Sequence, residues 1–429
     1  MDDLLCGVAT EEEGKELCNQ LISLLQSAGF KLHKWASNSG AILGNIPAEL
    51  RDNRNTMELN LSSPAVKTLG LLWQPDEDVF RFKVPIWTED SAITKRLVLS
   101  EAARLFDPLG LLGPTVLCSK LFMQELWLSK LPWDHPLTDK LQKSWKEFRE
   151  DLEALRDFSI PRWIVPCTEP LITELHGFCD ASERAYGACF YIRTVSAHEQ
   201  ISVHLLTAKS KVAPANTGKA QRRITLPRLE LSAALLLSHL YDKVKHILPP
   251  TTRALFWTDS MITMHWISAS PNRWKKFVAN RVAEIQQLTA PGTWGHVAGV
   301  ENPADAISRG MAASQLINFD IWWQGPTWLS QQKRFWPNIV RTSDESFDLE
   351  ELEEKPATAL PVVPDISNIF MRKSSLTERP RVSGPLSTIE LEEALQNLVR
   401  VSQQESFPED IHSIQSLGQS MVYFEYEVD

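Results

Sequence analysis

Apolar residues recur every three to four positions over 10–28 (TEEEGKELCNQLISLLQSA), with Leu17, Leu21, Leu24 and Leu25 on one face, which predicts an amphipathic helix. Thr10 can cap it, acids fill its first turn, and Gly29 stops it. Residues 30–35 then read as a strand. Residues 66–73 and 79–86 read as two strands around the turn Pro75-Asp76-Glu77-Asp78. Residues 94–130 are mostly helical in pattern, broken near Asp107-Pro108-Leu109-Gly110 and again at Pro114. Another helix is predicted over 137–156, and 161–170 reads as a connector.

The pattern changes from Leu171 onward. Residues 174–180 form a strand ending in an acid, and 187–194 and 202–208 are further strands. Residues 226–246 make a long apolar helix opened by Pro227. Residues 254–258 form a short buried strand that also ends in an acid, Asp259. Helices over 260–269 and 272–288 follow, then a strand over 293–297 and the segment 301–310. This order predicts a mixed α/β layout. Residues 318–336 carry Trp322, Trp323, Trp328 and Trp336, read as packing at a domain edge rather than as a stacking platform for bases. After about 340 the chain is acidic and proline-rich, as in a disordered linker, with one helix expected around 387–404. No internal repeat is visible.

Composition narrows the classes. The length of 429 residues fits two to four domains, and an apolar share of 43% can fill sizeable cores. A net charge of −10 argues against coating DNA through overall basicity, but leaves room for a local basic face. Cys6, Cys18, Cys118, Cys167, Cys179 and Cys189 form no CxxC pair, so no zinc site is indicated. The pattern reads as reduced and intracellular, cytoplasmic or nuclear. No secretory signal is visible, and the apolar run at 109–117 is too short and broken to span a membrane.

The candidate chemistry is a set of carboxylates. Two strands end in Asp followed by a small residue, at Phe178-Cys179-Asp180-Ala181-Ser182 and Phe256-Trp257-Thr258-Asp259-Ser260. Acids at the carboxyl ends of neighbouring strands converge on one sheet edge, where α/β proteins place their sites. Glu230 interrupts the apolar run Leu226-Pro227-Arg228-Leu229-Glu230-Leu231, where a carboxylate needs a cation to offset desolvation. Asp305, in Asn302-Pro303-Ala304-Asp305, offers a fourth acid. Crowded carboxylates repel one another, and a pair of hard divalent cations relieves that repulsion. Oxygen ligands suit two Mg²⁺ ions, with Mn²⁺ able to substitute. Two such ions about 4 Å apart can activate water and stabilise a leaving 3′ oxygen in phosphodiester hydrolysis.

Two basic runs flank these acids. Arg273-Trp274-Lys275-Lys276-Phe277, with Arg281, opens one helix, and Lys209, Lys211, Lys219, Arg222 and Arg223 precede Glu230. Local positive charge of this kind suits phosphate backbones and makes binding salt-dependent.

At these residues the chain resembles the ribonuclease H region of BEL/Pao-type long-terminal-repeat retrotransposons. The blocks that carry the resemblance are His176 to Ser182, Leu226 to Leu231, Trp257 to Ser260, and NPADAISRG at 302–310. Leu69-Gly70-Leu71-Leu72-Trp73, Thr94-Lys95-Arg96 and Phe106-Asp107-Pro108-Leu109-Gly110-Leu111 look like the stretch leading into the thumb and connection of that group's reverse transcriptase. Met1-Asp2-Asp3-Leu4 looks like the tail of the polymerase Y-x-D-D motif. The resemblance implies a ribonuclease H-like mixed five-stranded sheet with flanking helices, preceded by a partial palm and a largely helical thumb and connection. The implied divisions are palm over 1–90, thumb and connection over 91–165, ribonuclease H over 166–312, a Trp-rich extension over 313–340 and a linker over 341–429. Asp180, Glu230 and Asp259 match the core metal ligands of the family, and Asp305 its fourth acid. Asp2 and Asp3 match the paired polymerase carboxylates and are vestigial here. The implied activity is metal-dependent cleavage of the RNA strand of RNA·DNA hybrids, within a truncated reverse transcriptase, and the implied partners are the RNA·DNA hybrid and the missing polymerase half acting in trans.

Where cellular relatives have a mobile His, in a block like H-V-P-G-H, this chain has His296-Val297-Ala298-Gly299-Val300, so Val300 stands at that position and His296 reads as structural. Loss of that His is expected to slow product release without abolishing chemistry. The other class of reading is a non-catalytic nucleic-acid-binding remnant. Such families also carry an aspartic-peptidase label, but Asp180-Ala181-Ser182 and Asp259-Ser260-Met261 lack the glycine of a D-T/S-G turn.

Overall fold

The computed structural model describes residues 4, 6–51, 66–68, 71–84, 87, 92–165, 170–215, 224–290, 292–337 and 353–354. These belong to one compact unit, Met1–Pro356. The helix expected over 387–404, along with Asp2 and Asp3, lies outside the described residues.

Thr10 caps α1 (Glu11–Ser27) in a capping box: its hydroxyl accepts from the Glu13 N–H, and the Glu13 carboxylate accepts from the Thr10 N–H. The buried positions of α1 are Gly14 and Cys18 rather than the expected leucine row, and Leu24 is 66% exposed. The reason is α2 (Gly40–Gly44), whose Ile42 side chain sits where a Cβ on residue 14 would be, 2.4 Å away. The strand expected over 30–35 does not form. Only Trp35 bridges, to Arg51, and Lys34 adopts φ 60°, which ends extended backbone.

A first, antiparallel sheet runs in the order β1 (Val66–Thr68), β2 (Leu71–Gln74), β3 (Val79–Arg81), β4 (Ser159–Pro161). The run read as one strand over 66–73 folds back on itself, Thr68 pairing with Leu71. The turn at 75–78 forms as expected. Asp78 closes it by accepting hydrogen bonds from Trp73 Nε1 and both Arg162 donors. A short strand ending at Pro161 leads into the expected connector, its Ser159 and Ile160 pairing with Arg81 and Phe80.

The helical stretch consists of α3 (Lys95–Ala102), α4 (Gly113–Leu128) and α5 (Asp139–Leu152). Pro114 does not break a helix; it opens α4 in the first turn, where its missing N–H costs nothing. Buried Glu101 of α3 accepts from Arg149 (2.6 and 2.9 Å) and from Trp145 Nε1 (2.7 Å) on α5. Between α3 and α4, the Asp107 carboxylate accepts from the N–H groups of Leu111 and Leu112 at 2.9 and 2.8 Å. This turn docks against the second sheet: the Ala208 N–H donates to the Leu109 carbonyl at 2.9 Å. Gly110, at φ +76°, lies so close that a Cβ would fall 1.8 Å from the Ala208 oxygen.

The second sheet contains β5 (Ile172–Ala181), β6 (Ala185–Val195), β7 (Ile201–Val212), β8 (Arg253–Thr258) and β9 (Thr293–His296), in the order β7-β6-β5-β8-β9. β7, β6 and β5 are antiparallel, while β5, β8 and β9 are parallel. This is the mixed, five-stranded, ribonuclease H-like α/β fold that the resemblance implies.

One sheet face, with Leu175, Cys179, Phe190 and Phe256, packs against α6 (Leu226–Val244), α7 (Met261–Ser268) and α8 (Lys276–Thr289). The other face, with Phe178, Tyr191 and Trp257, packs against Leu111, Leu112, Ile307, Trp322 and Trp328. These come from the α3–α4 turn, from α9 (Ala304–Arg309), and from the extension containing α10 (Ala313–Leu316) and α11 (Asp320–Gln324). Hydrogen bonds pin the extension down. Tyr191 donates to the Trp322 carbonyl at 2.7 Å, and Arg193 to those of Leu329 and Gln331 at 2.8 and 3.0 Å. No described helix is long and apolar enough to cross a membrane.

Candidate active site

β5 and β8 are parallel neighbours with Cys179 beside Thr258, so the acids that follow, Asp180 and Asp259, leave the sheet side by side. Glu230 lies in the first turns of α6, which packs across β5 and β6. Asp305 sits near the start of α9. Asn302 explains that placement. Its Nδ2 donates to the Cys179 carbonyl, the residue before Asp180, and its Oδ1 accepts from the Ala304 N–H, both at 3.1 Å. One side chain therefore holds the approach to α9 and ties it to the strand carrying Asp180. Ser182 adds a second tie, donating to the Ser308 carbonyl at 2.7 Å.

The four acids share one electrostatic environment. Burial, then the neighbouring Asp259 and Asp305 charges, push Asp180 up to about 7 against the opposing hydroxyl of Ser308. Burial raises Glu230 as well, with Asp180 adding to it, although the Ser260 hydroxyl donates to its Oε2 at 2.5 Å. Burial also raises Asp259. Its own N–H and Asn302 oppose the rise, while Glu230 and Asp305 add to it. Carboxylates held partly toward the protonated form by one another are what a cation would relieve.

Three of the four acids lean on a nearby donor: Asp180 on Ser308, Glu230 on Ser260, Asp305 on the Arg309 guanidinium one turn along α9. Accordingly, among the described residues no three His, Cys, Asp or Glu side chains are gathered tightly enough to hold one metal ion. The donor set is nevertheless all oxygen and anionic, and in kind it fits a hard divalent cation. Arg309, its side chain 65% exposed, also lies within range of the Asp180 and Asp259 charges.

Sequence reasoning missed Ser260, Ser308, Asn302 and Arg309. Only Arg309 carried a signal, its i,i+4 spacing from Asp305. His296 Nε2 donates to the Asp259 carbonyl at 3.2 Å, a structural contact, and Val300 is 91% exposed.

The basic positions divide. Lys209 and Lys211 are exposed on β7, flanking Ser210, which is level across β6 Gly187 with Asp180. Two strand spacings set them about 10 Å from that acid's strand. Lys275 and Lys276 are exposed, while Arg273 pairs with Glu354. Arg281 is half-buried, its guanidinium 3.6 Å from the Phe277 ring centre. Arg222 and Arg223 lie outside the described residues. An open cleft of about 540 Å³, lined by His296, Glu301, Trp328 and Trp336, adjoins the Asp259 side of the site.

No curated protein matches the sequence. Among solved structures, the chain is similar to the N-terminal ribonuclease H domain of a Mycobacterium tuberculosis protein, with 16% identity and TM-score 0.22, over 34% of this chain and 96% of that one. It is similar to a ribonuclease H solved with an RNA/DNA hybrid, with 11% identity and TM-score 0.23, over 32% and 92% of the two chains. It is also similar to a foamy viral protease-reverse transcriptase in complex with double-stranded DNA, with 15% identity and TM-score 0.31. That likeness covers 54% of this chain and 38% of the viral one. Residues 94–260 match the family model of the Pao retrotransposon-like RNaseH-like domain, a span that includes α3–α5 as well as Asp180, Glu230 and Asp259. With the sheet order above, this match makes residues 94–260 similar to a retrotransposon ribonuclease H region.

Proposed function

We propose that the protein is a Mg²⁺-dependent endoribonuclease that hydrolyses the RNA strand of RNA·DNA hybrids, with Asp180, Glu230, Asp259 and Asp305 as metal ligands. The observation that carries this reading is that Asp180 and Asp259 follow neighbouring parallel strands with Glu230 of α6 interacting electrostatically with both, all three carboxyls raised by burial and further by one another. When bound, the metal pair would supply an activated water and charge stabilisation at the leaving oxygen. The protein's own groups prepare the site. Asn302 and Ser182 lock α9 to β5, which fixes Asp305 relative to Asp180. His296 fixes the backbone at Asp259. Ser308 and Ser260 hold Asp180 and Glu230 from one side, leaving the carboxylates to turn toward a cation at small cost. Lys209 and Lys211 on one flank, and Arg273, Lys275 and Lys276 on the other, would take backbone phosphates.

A second reading, a non-catalytic nucleic-acid binder, draws support from the absence of a ready three-ligand cluster among the described residues. Incubating the full chain with an end-labelled hybrid, with Mg²⁺ or with EDTA, separates the two. Cleavage that needs Mg²⁺ and falls at least about 10³-fold in Asp259→Asn supports the nuclease. Binding without cleavage supports the binder, and undiminished cleavage by the variant removes Asp259 from the site.

A further inference from the structure

Residues 353 and 354 meet the start of α6 and the segment that opens α8. The Glu353 carboxylate accepts from Nε and Nη2 of Arg228, two positions before Glu230, the second contact at 2.7 Å. The Glu353 carbonyl accepts from the Lys275 N–H at 2.9 Å. The Glu354 carboxylate accepts from Nε and Nη2 of Arg273 at 2.7 and 3.4 Å, and its backbone bridges to Trp274. Two guanidiniums are therefore each met by a carboxylate in fork geometry, the arrangement by which Arg also grips phosphate. The chemistry around these contacts is one-sided. Between 344 and 354 the sequence holds Asp344, Glu345, Asp348, Glu350, Glu351, Glu353 and Glu354 and no Lys or Arg. The face that Glu353 and Glu354 meet presents Arg228, Arg273, Lys275 and Lys276.

We infer that the acidic segment at 353–354 is a strap, a built-in phosphate mimic that occupies the nucleic-acid face and must be displaced by an incoming backbone. This inference rests on the nuclease reading. The strap contacts are partly exposed, with Arg228 and Arg273 side chains 32% and 44% and Glu353 and Glu354 12% and 32% exposed, so a polyanion can reach and replace them. Because the strap is tethered, it competes at high effective concentration, and the free face is only a fraction of the population. Arg228, which lies over the Phe277 ring at 4.6 Å, becomes a phosphate-binding residue once released.

The test measures binding of a labelled RNA·DNA hybrid to the full chain by anisotropy, in EDTA so that nothing is cut. At about 50 mM salt, the double variant Glu353→Gln/Glu354→Gln should bind about two- to tenfold more tightly than wild type. A charge-matched control, Glu12→Gln/Glu125→Gln, should change affinity much less. In an Arg228→Ala/Arg273→Ala background, the strap substitutions should have no further effect. Amide exchange over 272–277 reads the strap without nucleic acid, and should quicken in Glu353→Gln/Glu354→Gln. Unchanged affinity, a gain equal to the control's, or unchanged exchange overturns the strap. Faster exchange with no hybrid binding by either protein overturns the nuclease reading instead.

Discussion

Asp180 and Asp259 are paired acids that the folded chain crowds together, so their charge should cost stability until a cation arrives. Asp180→Asn keeps the shape and removes one charge. The metal-free variant should melt higher than wild type by a few degrees, about 2–4 °C per kcal/mol for a fold of this size. Wild type should gain thermal stability on adding Mg²⁺, as binding to the native state alone requires, and the variant should not. Scanning fluorimetry with and without Mg²⁺ checks both, and a flat wild-type response would remove the metal site. Glu174, under the Trp-rich extension, behaves oppositely. Burial pushes its carboxyl up, but His176 and Lys333 outweigh that and hold it at about 2. A depressed folded pKa stabilises above the usual carboxylate range, and that stabilisation disappears as pH falls from about 4.5 toward 2. Glu174→Gln should flatten the acid-unfolding curve in that window, followed by circular dichroism. The two strand-end aspartates were legible in the sequence because strand periodicity fixes where a strand ends. Ser260 and Ser308 were not, because a hydroxyl's partner depends on residues 30 or 128 positions away.

The elements show which local rules held and which were overruled. The cap at Thr10, the turn at 75–78 and the helix opened by Pro227 follow their residues because each depends on hydrogen bonds within a few positions. The run at 30–35 had strand composition but, among the described residues, no strand beside it to complete a ladder, so it pairs there only at Trp35. Gly110 owes its identity to β7 rather than to the helix break it marks. Gly110→Ala should destabilise by about 2–4 kcal/mol, from the left-handed backbone and the collision with Ala208. Urea unfolding followed by tryptophan emission checks this. Glu101→Ala, which strands the buried Arg149 guanidinium, should cost about 3–5 kcal/mol in the same assay, and a loss under 1 kcal/mol would show that water reaches the pair.

Across the whole molecule, the same sheet face is covered by the α3–α4 turn, α9 and the Trp-rich extension. One hydrophobic cluster therefore draws on residues from all three expected divisions, 91–165, 166–312 and 313–340. A fragment spanning 166–312 should expose Phe178, Tyr191 and Trp257 and aggregate, whereas 92–337 should remain monodisperse with a strong near-ultraviolet signal. Size exclusion of the two fragments distinguishes these outcomes, and a well-behaved 166–312 fragment would restore the narrower boundary. The order of strands and helices, and the acids at strand ends, were readable from residue order, since periodicity and capping act over one or two turns. Packing over long separations was needed to bring Asp305 to Asp180 through Asn302, to lay the tryptophans under the sheet, and to draw Glu353 and Glu354 onto Arg228 and Arg273. No local pattern encodes those partners, because each contact joins segments that only the closed sheet brings within reach.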